Sequence, residues 1–164
     1  MLHVSKRFRV LSALALLLAA LALAPAPHAR AQHGASAVAD KAKDEPPFRE
    51  YKGVRIGMAA DEARKLLGSP TDKDDKQEVF SVSDDESCQL YYDAARKVSA
   101  VSITYFSPKG VPTAKAVLGE EPEAKQDGSF TKLIRFPKAG YWVSYTRTSG
   151  DSPMTIIAMQ KMEP

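Results

Sequence analysis

Beyond Phe48 the apolar residues fall into two short helical stretches and six alternating ones. Met58, Ala63, Leu66 and Leu67 recur at the three-to-four-residue spacing of one helix face. Asp61 and Glu62 sit in its first turn, where negative charge suits the helix dipole. Ala59 and Ala60 stand where a Ser or Thr cap is usual, which weakens the start. Gly68-Ser69-Pro70 stops the helix, with Gly68 expected as a left-handed cap. Residues 71–76 are polar and read as a loop. Strand-like alternation then covers 77–83, with Val79, Phe80 and Val82; 87–93, with Leu90, Tyr91 and Tyr92; and 97–106, with Val101, Ile103 and Tyr105. The connections are short, which favours antiparallel hairpins.

The succession then recurs. Thr113 is a plausible cap for a helix ending at Leu118-Gly119, and strands follow at 129–136, 141–148 and 154–161. Gly68 and Gly119 lie about 51 residues apart, a spacing that asks for an internal repeat. Phe80 corresponds loosely to Phe130, Tyr91 to Trp142 and Ile103 to Ile157. The expected fold is α+β: two αβββ repeats, 48–107 and 108–164, with short helices packed on one face of an antiparallel sheet.

Ahead of that domain the pattern changes. Lys6, Arg7 and Arg9 precede an apolar run of about 15 residues, short of the roughly 20 of a spanning helix. Pro25 and Pro27 break it, and Ala29-Arg30-Ala31 resembles a cleavage site. Residues 1–31 therefore read as a signal peptide cleaved near Ala31, giving a periplasmic or secreted protein. Residues 32–47 lack large apolar side chains and are expected to be a flexible leader. The formal charge of +3 falls to about −1 once the basic signal residues are removed. Charge thus gives no argument for a nucleic-acid partner.

Composition removes most catalytic chemistry. His3 and His28 lie in the signal and His33 in the leader, so the domain has no His for a triad or a proton shuttle. Cys88 is the only Cys. It alternates with Leu90 and Tyr92 and is expected to be buried. Asp72, Asp74, Asp75 and Glu78 form one acidic cluster and Asp84, Asp85 and Glu86 another. Neither follows the calcium-loop pattern, and both read as solvated loops. A carboxylate-dependent hydrolase is a remote alternative, because nothing nearby would raise an acid's pKa. No phosphate loop or dinucleotide fingerprint occurs, so neither a cofactor nor a metal is expected.

Aromatic residues are the remaining candidates. Tyr91 adjoins Tyr92 and Tyr141 adjoins Trp142, so one member of each pair should face away from the helices. Tyr and Trp are favoured interface anchors. Tyr91, Tyr92, Tyr141, Trp142 and Tyr145 are the candidate partner-binding residues. The function expected is a non-enzymatic protein-binding module whose sheet recognises an envelope or secreted protein.

The segment 53–70 carries Gly53, Gly57, Met58, Leu67, Gly68 and Pro70, and it resembles the opening of the BamE/SmpA/OmlA family. With the repeat, the similarity extends to the β-lactamase inhibitor protein (BLIP-like) architecture, in which tandem αβ repeats present a concave sheet to a partner. The resemblance implies that fold, and as an alternative function an accessory role in outer-membrane assembly with peripheral membrane association. The chain departs from the family in having no lipidation Cys near the cleavage point, and Ala59 replaces the usual Ser or Thr.

Overall fold

The computed structural model describes residues 45–163. The expected signal segment, and the expected leader as far as residue 44, lie outside them. Pro46, inside the expected leader, is buried. Two helices and seven strands follow. They are α1 (Ala60–Leu67), β1 (Asp72–Lys73), β2 (Gln77–Ser83), β3 (Glu86–Tyr92), β4 (Val98–Tyr105), α2 (Ala114–Leu118), β5 (Phe130–Phe136), β6 (Tyr141–Arg147) and β7 (Thr155–Lys161). The six long strands match the expected alternation to within a residue or two. The two-residue β1 falls in the segment expected to be a loop.

All seven strands form one antiparallel sheet in the order β1-β2-β3-β4-β7-β6-β5. Each run of three long strands is a meander. The two meanders meet through their third strands, β4 and β7, where Ile103 pairs with Ile157. Both isoleucines are fully buried. The sheet therefore runs unbroken from one helix–strand succession into the other, and its apolar face forms a single core with Phe80, Leu90, Val101, Phe136, Val143 and Met159.

Helix entry shows how the missing cap is handled. Ala59 makes no side-chain cap, but the Ala60 N–H donates to the carbonyl of Arg96 at 3.0 Å. Just before it, Gly57 N–H donates to the Val98 carbonyl and Val98 N–H donates to that of Met58, both at 2.8 Å. A turn from β3–β4 thus satisfies a donor that helix starts leave orphaned. The apolar face is also narrower than the spacing predicts. Ala60 and Ala63 are buried, whereas Leu66 is 49% exposed and lies over Gly53. Gly53 has φ +83°, so a side chain there would be strained as well as crowded against Leu66. Gly68 takes φ 88° with ψ −155°, a positive-φ conformation open in practice to glycine alone but outside the left-handed helical region expected of the cap. Gly119, with φ 78° and ψ 2°, is left-handed, and Thr113 caps α2 by accepting from Ala116 N–H at 3.1 Å.

Candidate functional site

Both helices sit over one face of the sheet, and among the described residues no helix or strand covers the other, open face. Alternation and the ladder register assign its residues in rows. One row reads Gln77, Tyr91, Ala100, Gln160, Trp142, Arg135 across β2, β3, β4, β7, β6 and β5. The next reads Val79, Gln89, Ser102, Ala158, Ser144, Leu133, and the third Ser81, Ser87, Thr104, Ile156, Thr146, Thr131. Arg135 alone among these residues is charged. The face is otherwise Ser, Thr, Gln and small or aliphatic side chains with two large aromatics.

Those aromatics flank a groove. Tyr91 and Trp142 share a row with Ala100 and Gln160 between them. Three interstrand steps separate them, on the order of 14 Å at the usual strand spacing. Ala100, Ser102 and Ala158 form a low floor, and the groove has a volume of about 520 Å³. Tyr91 is 38% exposed and Trp142 half-buried. Lys76 reaches one end of it. The pleat puts Tyr91 and Tyr92 on opposite faces, and a bulge at Ser99 lets β4 follow: Ala100 lies opposite Tyr91 on the open face and buried Val98 opposite Tyr92 in the core.

The other three candidates belong to the core. Tyr92 is 7%, Tyr141 9% and Tyr145 5% exposed. Their parity in the strand directs them toward the helices, so they cannot contact a partner on the open face. Tyr145 donates its hydroxyl to Pro112 O at 3.1 Å and stacks on Phe130 with centroids 5.4 Å apart. It fastens the segment before α2 to β6. Burial raises the hydroxyl pKa of both Tyr141 and Tyr145.

Glu78 corrects a second expectation. Its sequence neighbours predict a solvated loop acid, yet it is 1% exposed and occupies the core row with Leu90, Val101 and Met159. Its parity with Phe80 and Val82 is the signal that could have placed it inward. Arg64 of α1 puts Nε 3.1 Å from both carboxylate oxygens, and its Nη2 bonds Oε1. Tyr92 donates its hydroxyl to Oε2 at 2.8 Å. Arg96 approaches Oε1 at 3.4 Å while its guanidinium lies 4.7 Å from the Tyr92 ring centre. Burial alone would raise this carboxyl's pKa, but hydrogen bonds from Arg64 and Tyr92 and the charges of Arg64 and Arg96 outweigh it and hold the pKa low. A carboxylate so fully engaged is a fastening between helix and sheet, not a general acid. The acids of the β2–β3 turn, Asp84 and Asp85, are exposed, while Glu86 accepts the Tyr51 hydroxyl at 2.8 Å.

Cys88 lies in the core with no exposure, and burial pushes its thiol pKa up to about 12. Among the described residues no cluster of three His, Cys, Asp or Glu could hold a metal, and no helix is long and apolar enough to cross a membrane. Compared with family models, curated proteins and solved structures, the chain matches none of them.

Proposed function

We propose that this chain is an exported, non-enzymatic protein-binding module of the cell envelope, and that its partner lies on the open face of the sheet. The observation that carries the reading is the row shared by Tyr91 and Trp142, with small side chains sunk between them. Interface centres are depleted in charge and enriched in aromatic residues, and the open face has both properties. Ser, Thr and Gln around rigid Tyr and Trp anchors also resemble the make-up of evolved recognition surfaces, where aromatics supply area and small polar residues adaptable hydrogen bonds. Few charges on that face need stripping of water when a partner arrives. The recurrence of helix and three strands, joined at β4 and β7, supports a reading of two αβββ repeats of the BamE- or BLIP-like kind.

The test is affinity capture from envelope extract with the parent chain and with Tyr91→Ala/Trp142→Ala. The parent should retain a protein that the double variant loses, while circular dichroism and thermal midpoint stay close to the parent's. Retention by a folded double variant refutes the sheet-face reading. Fractionation of cells tests the address: a periplasmic or secreted pool agrees with it, and a cytosolic pool opposes it. Association with outer-membrane assembly complexes would shift the reading to an accessory assembly factor.

A further inference from the structure

The two edges of the sheet are finished differently. Along β2 the segment 71–76 acts as a strap. Thr71 N–H donates to Val79 O at 2.8 Å, Asp74 N–H donates to Gln77 O at 2.9 Å, and β1 pairs across Asp72 and Lys73. A short, charged strap is a usual way to blunt an edge against further pairing. Beyond β5, at the other end, no strand follows among the described residues. β5 is seven residues long, has neither Pro nor Gly, and pairs with β6 without a bulge. Thr131, Lys132, Leu133 and Arg135 are exposed along it. Lys132 would ordinarily guard such an edge, but its ammonium is paired with Glu120 at 3.2 Å.

We propose that β5 is a self-pairing edge: two copies of the chain join β5 to β5 antiparallel about a two-fold axis through Leu133, making one sheet of two. The register follows from symmetry. A two-fold axis perpendicular to the sheet keeps each residue on its own face, so only residues of like parity can sit opposite. Centring on Lys132 or Arg135 would oppose identical cations, which is destabilising. Centring on Leu133 pairs all seven residues. Phe130 then meets Phe136 of the second copy, Thr131 meets Arg135, Lys132 meets Ile134, and Leu133 meets Leu133. Aromatic and aliphatic contacts result, with no like charges directly opposite. Leu133, 38% exposed on the open face, would be covered. The contact is one strand wide, which places it among small, transient interfaces.

Sedimentation velocity on the mature chain as recovered from cells tests this, run from about 10 to about 500 μM, the range of weak self-association. The mass should rise toward that of a dimer with concentration. Leu133→Lys places like charges on the axis and should weaken dimerisation by about tenfold or more. Thr131→Glu sets a carboxylate opposite the second copy's Arg135 and should tighten it in a salt-dependent way. Both positions are exposed, so circular dichroism should show the parent fold in each variant. A parent chain that stays monomeric throughout overturns the proposal, and so does a dimer indifferent to Leu133→Lys.

Discussion

Arg64 of α1 clamps the Glu78 carboxylate of β2, with its Nε 3.1 Å from each oxygen. Glu78 stands in the core row of the sheet, so the clamp joins helix to sheet through a buried charge. A buried ion pair adds little over a well-packed apolar pair, but removing one partner leaves a charge without compensation. Arg64 retains about a third of its side-chain exposure, so solvent reduces the penalty. Arg64→Ala should cost about 2–4 kcal/mol in urea unfolding at pH 7. Arg64→Lys should recover part of it, because a lysine cannot reproduce the two-oxygen grip.

The same carboxylate makes stability pH-dependent. The Glu78 pKa is lower in the folded state than its ordinary value, about 4.3 in unfolded chains. Folded protein therefore holds the proton less tightly. The contribution is complete above about pH 4.3 and is lost as pH falls through the depressed value. Glu78→Gln should flatten the acid limb of the stability curve and lower the plateau. An unchanged acid limb would show that Glu78 is not the group responsible.

Cys88 should resist thiol reagents in the native state. It is fully buried, and its pKa of about 12 leaves almost no thiolate at neutral pH. Labelling by an aromatic disulfide reagent should be slow in buffer and fast in urea. Rapid stoichiometric labelling in buffer would contradict the core packing around β3.

The β4–β7 seam should hold both halves in one cooperative unit. Ile103→Ala removes a fully buried side chain where the strand meanders meet, and should cost about 2–5 kcal/mol. Leu66→Ala, on the half-exposed Leu66 of α1, should cost well under that, about 1 kcal/mol or less. Urea curves followed by fluorescence of Trp142, the only Trp, and by circular dichroism should coincide in both variants. Separate transitions would divide the sheet into independent halves.

The strands were legible because alternation is a period-two signal set by the pleat, and both faces of this sheet differ in polarity. Tyr91 and Trp142 could be placed in alternation with their neighbours, but which member of each pair turned outward depended on parity. Tyr92 follows Cys88 and Leu90 into the core by plain alternation, whereas the bulge at Ser99, which turns Val98 inward opposite it, left no local signal. Glu78 was hidden by its neighbours: Asp72, Asp74 and Asp75 made it look like part of an acidic loop, and the groups that make its burial tolerable, Arg64, Tyr92 and Arg96, are 14 to 18 residues away in the chain. Leu66 was misplaced because helical spacing does not say how wide the buried stripe is when α1 leans on Gly53. The strand order was beyond reach, because the β4–β7 contact is a pairing between the two successions and no local pattern encodes it.

Site-specific photo-crosslinking in the source cells tests the account most directly. A photoreactive phenylalanine analogue would replace Tyr91, Trp142 or Gln160 on the open face, and Glu62 or Lys115 on the helix side. The account predicts a discrete adduct with a partner protein from the three open-face positions and none from the helix side. Adducts confined to the helix side, with the open-face positions silent in folded protein, would contradict it.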